Sequence, residues 1–255
     1  MNKFQIPALV MLLASLIAGT GATNQPVEPL SLWYLQPAKE WNEALPIGNG
    51  RLGAMVFGQV QRERLQLNED TLWAGGPYNP VNPDALAALP EVRRLIFEGK
   101  YNDADKLIAS KLLGKPMGQM QYQTVGDLYL DFSTTNAVEN YRRDLNLDTA
   151  VSTTSFSSDG TAFTRQVFSS PVDQVIVVRL TASKPGQISF RATMKTPQKA
   201  EVSTEGADTL VMNGVNGSAN GVKGALKFQA RSVCWRRAGV LRQQPMPFPS
   251  AALMR

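Results

Sequence analysis

The side chains best suited to chemistry lie close together, early in the chain. Asn68, Glu69 and Asp70 provide one amide and two carboxylates, and Trp73 follows them; Arg51 lies a short way upstream. Two carboxylates could serve as a general acid and a general base. Glu69 and Asp70 are adjacent, however, so on a strand they would point to opposite sides and could not form such a pair across one bond. We therefore favour hydrogen bonding and turn capping as the role of these side chains.

Other kinds of catalytic site are excluded by composition. The sequence has no histidine and a single cysteine, Cys234. A serine–histidine–aspartate triad or a cysteine–histidine pair is therefore impossible, and so are an internal disulfide and the usual zinc sites. Chemistry would have to come from carboxylates, amides or the backbone, and we expect no metal and no cofactor.

Two sequence segments, Leu45–Gly53 and Leu67–Trp73, must position the candidate side chains, and we call them the two dense runs. Leu45–Gly53 reads LPIGNGRLG, and its glycines permit positive φ or a close approach of another backbone. The segments Ala54–Phe57 and Arg64–Leu67 follow, and in the second segment leucines alternate with polar residues, as in a strand with one buried face. The sequence thus predicts a glycine turn, two strands and a polar loop that closes at Trp73.

From position 125 onward, short segments alternate between apolar and polar residues and are separated by turn residues. Asp159-Gly160 is a strong signal for a hairpin turn. Regular short strands favour a sandwich over a parallel sheet, so we predict an all-β fold, a large antiparallel two-sheet β-sandwich. Besides the two segments named above, the predicted strands are 32–34, 127–132, 144–148, 151–158, 162–169, 174–182, 187–195, 209–213 and 224–230.

A short helical insertion is predicted around residues 84–113. Pro83-Asp84 can open one helix, and Pro90 suits the first position of a second, where its missing N–H costs nothing. Gly99 can end that helix. A third helix would begin at Asn102 or Asp103 and end at Gly114.

The two dense runs resemble a known family. ALPIGNGRLGAMVFG followed by LNEDTLWAGGP is similar to the N-terminal domain of glycoside hydrolase family 95, the α-L-fucosidases. The resemblance covers about Leu32 to Ala230. It continues in the same order through Val92–Gly99, Tyr122–Phe132 (YQTVGDLYLDF), Tyr141–Leu147 (YRRDLNL) and Phe163–Ser170 (FTRQVFSS).

This resemblance implies a function whose catalytic residues lie outside the segment that resembles this chain. In the family, a helical linker and an (α/α)6 barrel follow the sandwich, and the barrel carries the acid glutamate and the groups that activate water for inverting hydrolysis. No catalytic residue can therefore be assigned here. What remains as a possible active-site rim or barrel interface is the set Arg51, Asn68, Glu69, Asp70 and Trp73. A fucosylated glycan, reached through the barrel, is the expected partner.

A second hypothesis is a self-sufficient carbohydrate-binding β-sandwich. Trp33 and Trp41 could stack on sugars, although aromatic residues in an all-β domain more often belong to the core. We favour the core interpretation and expect Trp41 to pack under the glycine turn.

The N-terminus predicts export. Residues 1–22 combine Lys3, an apolar core and a small-residue end, which is typical of a signal peptide, and residues 23–31 form a lead-in. The apolar run is too short to span a bilayer comfortably, so we expect a periplasmic or extracellular protein with no membrane partner after cleavage. The net charge of +5 comes from Lys3 and the arginines of the tail, and the body is near neutral, which argues against a nucleic-acid partner.

The tail, residues 231–255, departs from the pattern. The strand predicted at 224–230 starts well, but from Ser232 the alternation collapses and Pro245, Pro247 and Pro249 exclude a central strand. A one-base shift of frame can recode the tail as a strand, a Gly-Gly turn and a strand. We therefore expect a frameshift and a disordered tail, and the alternative is a genuine Arg/Pro-rich terminus.

Overall fold

The computed structural model describes residues 30–132 and 137–235, together with the backbone of 251–254. The described residues form fourteen strands. They are β1 (Ser31–Tyr34), β2 (Leu45–Gly48), β3 (Leu52–Val56), β4 (Arg62–Glu69), β5 (Gly126–Phe132), β6 (Glu139–Asn146), β7 (Val151–Ser158), β8 (Thr161–Ser170), β9 (Val175–Ala182), β10 (Phe190–Lys195), β11 (Lys199–Glu205), β12 (Thr209–Val215), β13 (Lys227–Val233) and β14 (Ala251–Met254).

The strands build three antiparallel sheets. One has five strands in the order β1-β6-β7-β8-β9, one has six in the order β14-β10-β5-β4-β3-β2, and the third has three in the order β11-β12-β13. The prediction of an all-β antiparallel sandwich is confirmed, and the two-sheet description must be extended by the third sheet. That sheet was missed because β11 (KAEVSTE) has few apolar residues to reveal its period.

The core lies between the inner faces of the sheets. Leu65 of β4, Leu210 and Met212 of β12 are fully buried, and they belong to one continuous apolar cluster. The cluster also contains Leu128 and Leu130 of β5, which alternate with the polar residues of that strand. Side chains of successive strand residues point to opposite faces, so this alternation places the apolar set inside.

The hairpin that carries the candidate residues forms as predicted. β3 and β4 pair antiparallel, with Ala54 opposite Leu67 and Leu52 opposite Glu69. β2, which lies at the sheet edge and pairs with β3, was interpreted as part of the glycine turn. Its Pro46 is tolerated there because an edge strand leaves some N–H groups unpaired.

The helical insertion forms between β4 and β5, but its division differs from the prediction. A single helix, α1, spans Ala85–Phe97 with Pro90 inside it, and α2 spans Tyr101–Leu107 and continues as a π-helical turn, Ile108–Leu112. Pro90 cannot donate to the carbonyl of Leu86. Leu86 is 83% exposed, so water can satisfy the carbonyl of that turn and the helix is not broken.

The C-terminal segment is ordered further than the sequence indicates. β13 continues to Val233, beyond the boundary expected at Ala230, and Cys234 N–H donates to the Asp208 carbonyl. β14 pairs antiparallel with β10 at the sheet edge. The expectation of a tail disordered from Ser232 is therefore wrong for these two stretches, because backbone pairing to a neighbouring strand needs no apolar alternation. The three tail prolines lie outside the described residues, as does the predicted signal peptide.

Within the described ranges, no helix has the length and apolar character needed to cross a membrane.

Candidate functional site

Arg51 and the acidic loop, which we define as Asn68–Trp73, meet at one end of the β3–β4 hairpin. The Arg51 carbonyl accepts a hydrogen bond from Asp70 N–H at 3.0 Å. Its guanidinium lies 3.4 Å from Glu69 Oε1, and its Nε donates to Gln174 Oε1 at 2.7 Å. Arg51 thus ties the loop to the region just before β9.

Glu69 caps the loop from within. Its Oε2 accepts hydrogen bonds from Thr71 N–H at 2.9 Å and from the Thr71 hydroxyl at 2.7 Å. Partial burial acts to raise the pKa of Glu69, but the bonds from Thr71 and Arg51 outweigh it and hold the pKa below its ordinary value. A carboxyl with a lowered pKa is a poor general acid at neutral pH, so the geometry supports the capping role that the sequence favoured.

Asp70 and Trp73 face outward. Asp70 is exposed, and its carbonyl accepts a hydrogen bond from the Trp73 indole N–H at 3.1 Å. Trp73 is 41% exposed, and its ring meets Tyr122 edge to face, with ring centroids 5.4 Å apart. Tyr122 donates its hydroxyl to the Glu69 carbonyl at 3.0 Å. Trp73 is consequently an exposed aromatic surface with a fixed orientation, the arrangement that a contact with a partner or a ligand requires.

Asn68 does not join this group. It lies within β4 opposite Gly53 and is partly buried. Alternation along the strand places its side chain on the other face from that of Glu69. Of the five predicted residues, four therefore have their side chains gathered on one side, and the side chain of Asn68 lies apart from them.

The cavity that the structure describes does not lie at the acidic loop. A cavity of about 20 Å³ lies elsewhere, lined by Phe132, Phe156, Arg165 and Leu180 among others, and none of the five predicted residues lines it. That volume holds about one water molecule and not a sugar ring. This cavity is therefore not the candidate site.

The sequence reasoning missed a buried ion pair between the two large sheets. Glu63 of β4 and Arg165 of β8 lie 3.3 Å apart, and Arg165 also donates to the carbonyls of Gln59 at 2.6 Å and Val60 at 2.5 Å. The sequence did contain a signal for this pair. Glu63, Leu65 and Leu67 are alternate residues of one strand, so the alternation that places the leucines on the inner face places Glu63 there as well. The pair supports the end of β4 opposite to the acidic loop and is not part of the candidate site.

The tryptophans proposed for the core are exposed instead. Trp33 is 53% exposed, with the Arg142 guanidinium 5.1 Å from its ring centre, and Trp41 is 58% exposed. The core interpretation is wrong for both, because β1 is an edge strand and the short 3-10 helix Trp41–Glu43 lies at the surface. Phe57, 1% exposed, is the aromatic residue that packs against Ala38 and Ala44.

Comparisons with known proteins bear on this geometry. The family model described as "Glycosyl hydrolase family 65, N-terminal domain" matches residues 32–246. "Alpha-L-fucosidase 2" of Arabidopsis thaliana is 46% identical over 166 residues, which cover 64% of this chain and 19% of that protein. "Probable alpha-fucosidase A" of Aspergillus niger is 37% identical over 163 residues, 60% of this chain and 20% of that protein. The protein of the same name from Aspergillus oryzae is 35% identical over 164 residues, 60% of this chain and 22% of that protein.

These matches confirm the resemblance to the N-terminal region of the α-L-fucosidases. The chain spans about a fifth of the length of the curated relatives that it matches. The family match also continues past Ala230, in agreement with the longer β13.

Proposed function

Because the chain belongs to the family of glycosyl hydrolase family 65 N-terminal domains, we propose that it is the N-terminal β-sandwich module of an exported α-L-fucosidase that removes terminal fucose from glycans with inversion. The similarity to the fucosidases named above supports this proposal. Catalysis belongs to a barrel that these 255 residues do not contain, so we expect the chain to be inactive alone. The proposed substrate is a fucosylated glycan, and a glycan with a similar terminal sugar such as galactose is the alternative.

The observation that carries the proposal is the outward presentation of Asp70 and Trp73. Arg51, Thr71 and Tyr122 fix the loop by hydrogen bonds, and Asp70 and Trp73 are exposed. A polar and aromatic loop that is held in this way and exposed to solvent is suited to completing the rim of a site in a neighbouring domain. We propose that it contacts the barrel beside the sugar.

A chimera tests the proposal. The matching N-terminal region of Arabidopsis alpha-L-fucosidase 2 is replaced by residues 31–235 of this chain, and release of fucose is measured beside the isolated chain. We expect turnover by the chimera and none by the isolated chain. Release of fucose by the isolated chain, or a folded chimera that does not turn over substrate, would contradict the proposal.

The exposed Trp33 and Trp41 support a second candidate, a carbohydrate-binding module that acts alone. Binding of fucosylated oligosaccharides to the isolated chain, measured by calorimetry, distinguishes the two. Binding that disappears in Trp33→Ala and persists in Trp73→Ala favours this alternative. Binding that requires the chimera and Trp73 favours the enzyme module.

A further inference from the structure

The end of β12 and the connection to β13 are rich in one labile dipeptide, Asn-Gly. Asn213-Gly214 lies near the end of β12, and Asn216-Gly217 and Asn220-Gly221 lie in the connection that follows. Asparagine is a thermolabile residue, and a following glycine has no Cβ to hinder attack of its backbone nitrogen on the asparagine side chain. The three pairs share this chemistry but differ in environment, since Asn213 and Asn220 are exposed whereas Asn216 is 5% exposed.

Asn216 joins the acidic loop to the third sheet. Its Nδ2 donates to the carbonyl of Trp73 at 2.6 Å and to that of Gly75 at 2.7 Å, so both amide hydrogens are used. Its Oδ1 accepts from Leu226 N–H at 3.0 Å. One buried side chain thereby fixes the end of the loop and the start of β13.

The next residue is also held. Gly217 N–H donates to Gln123 Oε1 at 2.9 Å, and the Gly217 carbonyl accepts from Gly75 N–H at 2.7 Å. In the folded chain, the nitrogen that would attack Asn216 therefore keeps its proton in a hydrogen bond. The leaving amide is held by two others, so neither group is free to react.

We propose that Asn216-Gly217 is a deamidation site that the fold keeps closed, and that its conversion to aspartate releases the acidic loop from the third sheet irreversibly. After local opening or unfolding, the deprotonated Gly217 nitrogen attacks Cγ of Asn216 and forms a new C–N bond. The bond to the side-chain nitrogen breaks, ammonia leaves and a succinimide remains. Water then opens the ring to aspartate or isoaspartate, so the net reaction consumes one water and needs no oxidant or reductant.

The product does not fit the native site. An aspartate at this position would place a carboxylate oxygen where Nδ2 now lies, 2.6 and 2.7 Å from two carbonyl oxygens. Two hydrogen bonds become repulsive contacts around a buried charge. The modified chain cannot close the loop again, whereas deamidation at the exposed Asn213 leaves the oxygen that accepts from Gln229 Nε2 at 2.7 Å.

The first experiment compares deamidation of the chain in buffer and in urea. After incubation at mildly alkaline pH and an acid quench, trypsin releases the peptide Ala200–Lys223, which carries all three pairs. Fragment masses report each asparagine separately. We expect folding to slow conversion of Asn216 at least about tenfold relative to urea, and more than it slows Asn220, because a buried site reacts only when its segment opens. Equal rates at Asn216 in buffer and urea, or native conversion of Asn216 ahead of Asn220, would overturn the proposal.

The second experiment follows the consequence with Asn216→Asp and the matched exposed control Asn213→Asp. Amide hydrogen exchange should rise at residues 73–77 and 216–226 only in Asn216→Asp. If that variant does not fold while the control does, wild-type chain aged in urea must likewise lose its ability to refold as Asn216 converts. Unchanged exchange in Asn216→Asp, or full refolding of chain deamidated at that position, would show that Asn216 does not hold the loop.

Discussion

The carboxylate of Glu63 and the guanidinium of Arg165 lie 3.3 Å apart and link the six-stranded sheet to the five-stranded sheet. Both side chains are buried, and the Arg165 guanidinium also lies 3.8 Å from the centre of the Phe132 ring. Glu63 Oε1 accepts a hydrogen bond from Gly58 N–H at 2.8 Å. The pair therefore provides a polar link between the two sheets in the buried interior.

Replacement of Arg165 by methionine should cost about 3–5 kcal/mol of unfolding free energy at neutral pH, because it leaves a buried carboxylate without its partner. Asp131→Asn is the matched control, since it removes a surface pair in which Arg62 Nε lies 3.1 Å from Asp131 Oδ1. That change should cost less than about 1 kcal/mol. Urea unfolding of the three proteins measures both values, and similar costs for the two variants would contradict this account.

Glu63 should make stability fall as pH rises. Burial raises the pKa of Glu63, against the opposing effect of Arg165. Because the pKa is higher in the folded state than the ordinary 4.5 of the unfolded chain, the folded state binds the proton more tightly. The contribution of Glu63 to the free energy of unfolding is fully present below pH 4.5 and is lost as pH rises through the pKa of the folded state. Unfolding free energy of wild type minus that of Glu63→Gln should decline across this window, and a flat or rising difference would exclude the raised pKa.

Glu69 should behave in the opposite way. Its pKa is held below the ordinary value because the hydrogen bonds from Thr71 and Arg51 outweigh the effect of partial burial. Its contribution is therefore present above pH 4.5 and is lost as pH falls through the folded pKa. Glu69→Gln should destabilise the chain by less than about 1 kcal/mol at neutral pH, since the carboxylate remains in contact with solvent. Thermal melting at neutral and acid pH checks the sign.

Two glycines, Gly50 and Gly58, should respond differently to alanine. Gly50 has φ of +95° with nothing within 4 Å of an added Cβ, so Gly50→Ala should cost only the backbone strain, about 1–2 kcal/mol. Gly58 has φ of +70°, and its Cβ would lie 2.7 Å from the Tyr141 hydroxyl and 2.8 Å from Arg143 Cδ. Gly58→Ala should therefore lower the free energy of unfolding by about 1–3 kcal/mol more, because the added methyl group overpacks the core. Equal melting temperatures for the two variants would show that the core around Gly58 yields freely.

Strands could be predicted where the burial of one face produces an alternation of residue types in the sequence. β7, Val151–Ser158, was predicted with its observed bounds because alternate residues are buried and Asp159-Gly160 marks its end; both turn residues have positive φ. β11 could not be predicted because it is largely exposed. In that strand, pairing with the buried β12 decides the structure, and its own composition is uninformative.

The candidate site was predictable only where its residues are neighbours in sequence or in the hairpin. Glu69, Asp70 and Trp73 are contiguous, and strand pairing brings Arg51 to them. Their fixing partners come from distant elements: Gln174 before β9, Tyr122 before β5 and Asn216 after β12. A single sequence carries no signal for such contacts, because the register of three separate sheets determines them.

The exposed aromatic pair of the acidic loop provides the final prediction. Trp73→Ala removes the edge-to-face contact with Tyr122 and the indole bond to the Asp70 carbonyl, and since the ring is 41% exposed the isolated chain should lose only about 1–2 kcal/mol. Tyr122→Phe is the control, because it keeps the ring contact and removes only the hydroxyl bond to the Glu69 carbonyl. In the chimera, we expect Trp73→Ala to reduce kcat/KM for a fucoside more than Tyr122→Phe does. If both variants leave kcat/KM unchanged while the melting temperature falls, the loop serves the sandwich alone and does not contact the catalytic domain.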